Sequence, residues 1–342
     1  MTKLAIAADG LRKSYGDKVV LDGVDLAVPE GTVFSLLGPN GAGKTTVVKI
    51  LSTLVSAGPG TGAVRVGGHD PVTAPQGVRS VIGVTGQFSA VDGLITGEEN
   101  MLLMADLHRL SRAEGRRRAA RLLERFDLVD AARKPAATYS GGMKRRLDIA
   151  MTLVGNPRII FLDEPTTGLD PRSRHNMWEI IRELVTDGVT VFLTTQYLEE
   201  ADQLADHVAV LNDGKIAAHG TPEQLKRLIP GGHIRLRFTD PTTYQTAATT
   251  LHQATHLNLN PTHPDDSRPR TTSHDESLTL HIPSTGNPRE LRSLLDWLDT
   301  AHIHPDELTL HTPDLDDVFF ALTNPTTTAG ATAPAPRKET AR

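Results

Sequence analysis

The sequence predicts an α/β domain over residues 1–230, a small α+β appendage over 231–323 and a disordered tail over 324–342. Three observations carry this division. As far as Pro230, short β-branched runs alternate with amphipathic stretches and glycine punctuation, the pattern of strands joined by helical crossovers. Beyond Pro230, threonine, histidine and proline become common. From Asn324 the segment NPTTTAGATAPAPRKETAR has too little apolar content to offset the entropy of ordering.

The elements of the first domain follow in order. Thr32–Leu37 reads as a strand and Gly43–Leu54 as a helix. Glu98–Leu110, Arg112–Phe126 and Gly141–Leu153 read as further helices. Arg158–Leu162 is a strand, Arg172–Asp187 a helix, and Val189–Thr194 and His207–Leu211 are strands. These strands are apolar on both faces, as buried parallel strands are. In the appendage, HIRLRFTD and SLTLHIP alternate as strands should. RELRSLLDWLD is a short amphipathic helix, and PTHPDDSRPRTTSHDES an exposed or disordered loop. Its histidines are scattered without metal-ligand spacing.

The overall make-up excludes several classes. A chain of 342 residues suits one large domain plus a smaller one. With 38% apolar and 23% charged residues, it has an ordinary globular composition. It has no cysteine, which removes disulfide frameworks, thiolate zinc sites and cysteine nucleophiles. A net charge of -5 argues against nucleic acid as a partner. The run Arg116, Arg117, Arg118 and Arg121 sits at helical spacing and reads as a solvated face. The N-terminus shows no secretory signal. Runs such as Ile159–Leu162 and Val189–Leu193 fall far short of the roughly 18 apolar residues that span a bilayer. Work across a membrane would fall to another chain.

Gly38-Pro39-Asn40-Gly41-Ala42-Gly43-Lys44-Thr45 fits GxxxxGK[ST], follows a strand and opens a helix. Glycines let backbone N–H groups turn inward around a phosphate chain, and the helix dipole adds to the attraction. Lys44 reaches the β- and γ-phosphates, the Thr45 hydroxyl is placed for Mg²⁺, and Thr46 completes the nucleotide-binding set. This loop alone fits a kinase or a GTPase equally well.

The apolar strand Arg158–Leu162 ends in Asp163-Glu164. Asp163 is placed to hold Mg²⁺ directly or through water. Glu164, one residue on, points differently and can address an attacking water as general base, a role worth about 10²–10⁴ in rate. No NKxD guanine-reading motif is present.

Tyr139-Ser140-Gly141-Gly142-Met143-Lys144-Arg145-Arg146 precedes a helix. Ser140 can cap it, and Gly141 and Gly142 expose backbone N–H groups, making a second anion-binding helix start. This segment resembles the signature motif of ABC ATPases, usually LSGGQ. The resemblance implies a P-loop NTPase fold of the ABC ATPase type, with a mixed sheet core and a helical signature subdomain. It implies ATP and Mg²⁺ as ligands, and a head-to-tail dimer in which each ATP lies between one copy's phosphate loop and the other's signature.

Other elements stand in the order this family has. Tyr15 in LRKSYGDKVVL resembles the aromatic that stacks on adenine, though it also reads as a partly buried strand tyrosine. Gln87 resembles the Q-loop glutamine, which touches Mg²⁺ and the attacking water and senses the membrane subunit. Gly168-Leu169-Asp170 resembles the D-loop, which crosses the dimer interface. The resemblance spans residues 4 to about 225.

Two departures stand out. Gln196 occupies the place of a histidine that contacts the γ-phosphate. Its amide can still donate to a phosphate oxygen but cannot become cationic. Met143 replaces the signature glutamine. The combination of YSGGM followed by RRLD and an alanine, TTQYLEEAD and PDLDDVFFALT (with Asp316, Asp317, Val318 and Phe319) resembles the daunorubicin-resistance subgroup of drug-export ATPases. That resemblance implies a peripheral ATPase on the cytoplasmic face of the cell membrane, energising efflux of a hydrophobic, drug-like compound through a separate polytopic permease. The extension would serve assembly or regulation. Two alternatives stay open: a soluble ABC protein of another class, and an ATP-gated regulator with little turnover, which Gln196 would permit.

Overall fold

The computed structural model describes residues 3–87, 89–228, 232–253, 278–284, 287–311 and 314–323. The segment read as a loop (261–277) and the tail read as disordered (324–342) lie outside them. The chain divides into two compact units, Met1–Glu223 and Gln224–Arg342.

The first unit opens with β1 (Leu4–Tyr15) and β2 (Lys18–Pro29), an antiparallel pair closed by Gly16-Asp17. Gly16 takes φ 57, the left-handed conformation that tight hairpins need. β3 (Val33–Leu37) is wholly buried and leads to α1 (Lys44–Leu51). β4 (Val64–Val66) pairs with β1, completing a three-stranded sheet in the order β2-β1-β4. α2 (Pro75–Val81) and β5 (Ile82–Thr85) follow. Three helices come next: α3 (Gly97–Leu107), α4 (Arg112–Arg125) and α5 (Gly141–Leu153). Each has a hydroxyl N-cap, from Thr96, Ser111 and Ser140 respectively. The arginine run on α4 is mostly solvated, with Arg118 tied to Glu114 and to the Val154 carbonyl.

β6 (Ile159–Asp163), α6 (Pro171–Thr186), β7 (Thr190–Thr195), α7 (Leu198–Leu204), β8 (His207–Asn212), β9 (Lys215–Gly220) and α8 (Pro222–Lys226) complete the series. The main sheet has the order β5-β6-β7-β3-β8-β9. All neighbours are parallel except the β8–β9 hairpin, so the sheet is mixed. Strand side chains alternate between faces. Ile160, Leu162, Val191 and Leu193 therefore enter one core with the helical layer, including Leu147, Trp178 and Phe126. Ile159, Phe161 and Phe192 enter the other, with β1, β2 and α1. There Phe34 and Phe192 stack at 5.4 Å. Both faces are covered, which is why these strands are apolar throughout.

The strand order also places the site. β3 lies beside β7, with Leu37 opposite Thr195, and β7 lies beside β6, with Thr194 opposite Asp163. Segments far apart in sequence thus end side by side on the carboxyl edge of the sheet, where α/β folds bind ligands.

The second unit contains β10 (Gly232–Phe238), α9 (Pro241–Gln253), β11 (Leu278–Ser284), α10 (Pro288–Thr300), β12 (Glu307–His311) and α11 (Leu315–Thr323). Its antiparallel sheet has the order β11-β10-β12. Ile234, Leu236, Phe238, Ile282, Leu294 and Leu298 form its core. The sequence reading foresaw β10, β11 and α10 but not α9 or β12. α9 is threonine-rich, a composition with poor intrinsic helix propensity. It is held by a buried Ala247 and by Asp240, which accepts the Thr243 amide at 2.9 Å.

Candidate functional site

The phosphate loop begins where β3 runs into Gly38, whose N–H donates to the Thr195 carbonyl at 3.3 Å. A Cβ on Gly38 would lie 2.4 Å from the Leu211 carbonyl oxygen, so only glycine fits. Gly43 caps α1 in the left-handed region at φ 112, and a Cβ there would meet Leu21 of β2 at 2.7 Å. The β1–β2 hairpin therefore packs directly on the loop. α1 has no side-chain cap and no acidic residue in its first turn, so its dipole and N–H groups are uncompensated by the chain. The Lys44 ammonium, 5% exposed, donates to the Gly38 carbonyl at 2.8 Å and the Pro39 carbonyl at 3.1 Å, and lies 3.6 Å from Glu164 Oε1. Burial lowers its pKa, and Glu164 opposes that effect.

Asp163 ends β6. One of its oxygens accepts from the Thr194 hydroxyl and, at 3.3 Å, from the Thr45 hydroxyl. Thr45 and Asp163 together present hard oxygen donors, the set that Mg²⁺ prefers. Glu164 takes φ 49, a left-handed conformation rare outside glycine, which costs on the order of 1–3 kcal/mol. Its amide is pinned by the Thr194 carbonyl and hydroxyl, both at 3.1 Å. That turn carries its carboxylate away from Asp163's partners and back to Lys44. The adjacent acids therefore have different partners, Asp163 the Thr45 and Thr194 hydroxyls and Glu164 the Lys44 ammonium.

The remaining residues singled out from sequence fall into two groups. Gln196 is half-buried and follows Thr195, beside the start of the phosphate loop. Tyr15, 49% exposed, stands at the end of β1 with the Lys13 ammonium 5.2 Å from its ring. Gln87 is exposed just past β5, and no hydrogen bond joins it to Thr45 or Asp163. Ser140 caps α5, accepting the Met143 amide at 3.2 Å. Met143 packs on the helical core, which explains an apolar residue there. Asp170 caps α6, taking the Ser173 amide at 3.0 Å and its hydroxyl at 2.6 Å, which hold its pKa below the ordinary carboxylate range. Ser173 also lies against Gly142, so the starts of α5 and α6 adjoin. No hydrogen bond or ion pair among the described residues joins Ser140–Gly142 to residues 38–46 of the same chain.

Sequence reasoning quoted four residues here within longer motifs but gave them no role of their own. Thr194 pins both acids. Arg145 and Asp148 form a buried pair on α5, with burial pushing the Asp148 carboxyl up. Glu200 is fully buried on α7. The Trp178 indole donates to it at 3.4 Å, while its second oxygen has no partner among the described residues. Burial raises its pKa, opposed by the nearby Thr195 and Thr166 hydroxyls. The available signal was the charge itself, in RRLD and EEAD, at positions where helical periodicity demands apolar residues.

Known proteins resemble this chain over most of its length. Residues 21–167 match the family model described as ABC transporter. A daunorubicin resistance ATP-binding protein of Streptomyces coeruleorubidus is 45% identical over 94% of this chain and 97% of its own length. Among solved structures, an ATP-binding subunit of an ABC transporter superposes with a TM-score of 0.59 at 30% identity, covering 66% of this chain and 93% of that one. A dimeric ATP-binding cassette in a post-hydrolysis state, bound to ADP and Pi, superposes with a TM-score of 0.57 at 27% identity, covering 63% and 98%.

Proposed function

The chain belongs to the ABC transporter family as an ATP-binding, ATP-hydrolysing subunit, and from that premise we propose how its residues turn ATP hydrolysis into efflux of a hydrophobic, drug-like compound. The observation that carries the reading is the convergence of Lys44, Thr45, Asp163 and Glu164 at one carboxyl edge of the sheet. The phosphate loop, from Gly38 to Thr46, binds the triphosphate through its N–H groups, with Lys44 on the terminal phosphates. Thr45 and Asp163, with Gln87 approaching from β5, would hold Mg²⁺, which neutralises charge on the β- and γ-phosphates when bound. Glu164 orients the attacking water and takes its proton. Gln196 donates an amide hydrogen bond to the γ-phosphate in place of a cationic side chain. Tyr15 offers a half-exposed ring on which adenine can stack.

Ser140, Gly141, Gly142 and Asp170 belong to the facing side of the nucleotide. Among the described residues no hydrogen bond or ion pair ties Ser140–Gly142 to the loop of their own chain, which supports a head-to-tail pair of copies, each completing the other's site. Among the described residues no helix is long and apolar enough to cross a membrane. A polytopic permease supplies that path, and this subunit docks on its cytoplasmic face. Residues 1–230 are the motor and 231–323 an assembly or regulatory extension.

The test is Mg-ATP hydrolysis by the purified chain, alone and with its candidate permease in lipid. Glu164→Gln is expected to keep nucleotide binding and lower turnover about 10²- to 10⁴-fold. Permease-stimulated turnover that vanishes in this variant supports the motor. ATP binding without turnover in either setting overturns it and leaves an ATP-gated regulator.

A further inference from the structure

Arg145 and Asp148 lie three residues apart on α5, and both are buried. Arg145 distributes its guanidinium over two separate segments. Nε donates to the Pro165 carbonyl at 3.0 Å and Nη2 to the Asp163 carbonyl at 3.0 Å. Nη1 donates to the Gly86 carbonyl at 2.8 Å and to Asp148 Oδ2 at 3.3 Å. Asp148 Oδ1 accepts the Ala90 N–H at 3.1 Å. One ion pair thus grips Gly86 and Ala90, on either side of Gln87, and Asp163 and Pro165, on either side of Glu164.

Burying such a pair is an expensive way to hold two loops together, since apolar residues of similar volume are often at least as stabilising. What the pair supplies beyond stability is direction. A planar guanidinium with three carbonyl partners fixes their mutual geometry, which neither a lysine nor an apolar side chain can do. The segment it grips includes Glu164, whose backbone is held in the left-handed region at φ 49 with its amide bound to Thr194. A shift of Gly86–Ala90 would be passed through one rigid group to the carbonyls flanking that carboxylate.

We propose that Arg145 and Asp148 are a positioning pair that couples the Gly86–Ala90 loop to the aim of Glu164. α5 begins at the Ser140–Gly142 helix start, so the same helix also ties that start to both loops. The proposal deepens the ATPase reading and rests on it.

The experiment compares the full chain with Arg145→Lys and Asp148→Asn. It measures steady-state Mg-ATP turnover and amide hydrogen exchange with and without the Mg²⁺ complex of a non-hydrolysable ATP analogue. In both variants KM for ATP is expected to stay within about threefold while kcat falls about 10- to 100-fold, the signature of misplaced rather than missing chemistry. The analogue should still protect residues 38–46, but the exchange response at 86–90 seen in the parent should disappear. Parent-like kcat and a parent-like response at 86–90 in either folded variant overturn the coupling. So does a kcat loss matched by an equal loss of nucleotide binding, which a merely structural pair would produce. Asp148→Asn keeps an acceptor for Ala90 and nearly the same shape, so it carries the test if Arg145→Lys does not fold. A parent chain with no turnover, or no protection at 38–46, fails before any substitution. That result sinks the ATPase reading itself.

Discussion

Two helix starts in this molecule offer glycines and backbone N–H groups, and they are completed differently. α1 has a left-handed Gly43 cap with no side-chain oxygen, followed at once by a buried Lys44. α5 has Ser140, whose hydroxyl already takes the Met143 amide, and an exposed Gly141 behind it. The first concentrates dipole, free N–H groups and a cation in one place, enough to hold an anion unaided. The second has answered one of its own N–H groups, and the buried cation of its helix, Arg145, is already taken up by three backbone carbonyls and Asp148. It suits a contact made by a second copy and released again. The difference teaches that a glycine-rich helix start is a strong anion site only when the chain leaves it uncapped and adds charge.

That comparison can be broken at α1 first. Lys44→Ala removes charge-assisted hydrogen bonds worth about 1.5–3 kcal/mol each. It is expected to weaken ATP binding at least about tenfold and to abolish turnover, read by fluorescent nucleotide titration and phosphate release. Unchanged affinity would show that the loop alone suffices. Ser140→Ala acts at the other start. The lost cap lowers stability by about 1 kcal/mol, visible as a fall in Tm. Nucleotide affinity of the single copy should hold, while nucleotide-driven pairing in a Glu164→Gln background weakens on size exclusion. Equal pairing with and without the hydroxyl would place the facing contact elsewhere.

Smaller effects sharpen the picture around the loop. Gln196→His should retain turnover, because either side chain donates to a phosphate oxygen. Complete loss of ATP binding in that variant would refute its placement. Glu200 gives the smallest and most conditional effect. Its folded pKa is raised by burial, so the folded state holds this proton more tightly than the unfolded chain does. Its contribution is fully present below the unfolded value near 4.5 and is lost as pH rises through the folded one. Glu200→Gln, which cannot titrate, should therefore flatten the fall in stability above about pH 4.5 seen in denaturant midpoints of the parent. A parallel pH profile in the two proteins would show that the carboxyl is not held protonated.

Much of the site was legible because its chemistry depends on short local patterns. Gly38–Thr45 needs glycines at fixed offsets, and Asp163-Glu164 needs an apolar strand before it. Both requirements are written in adjacent residues. The divergence of the two acids was legible only as an expectation, since its cause is the φ of 49 at Glu164, imposed by Thr194 from another strand. The charges of Arg145 and Asp148 in RRLD were visible, but not what they grip, because beyond each other their partners are backbone carbonyls and an amide, which the sequence does not single out. In the second unit α9 was missed because its threonines argue against a helix that packing at Ala247 and the Asp240 cap make stable.

The sequence by itself determined the α/β alternation, the phosphate loop, the acidic pair and the capped α5, because periodicity, glycine offsets and caps act over a single turn or strand. Only the tertiary structure decided that β3, β6 and β7 lie side by side, so that Lys44 meets Glu164 at 3.6 Å and Thr45 meets Asp163 at 3.3 Å. It also decided that one buried arginine bridges the loops around Gln87 and Glu164. Strand order and burial in the first unit emerge from its packing on two cores, and no local pattern encodes which distant backbone group a side chain will find.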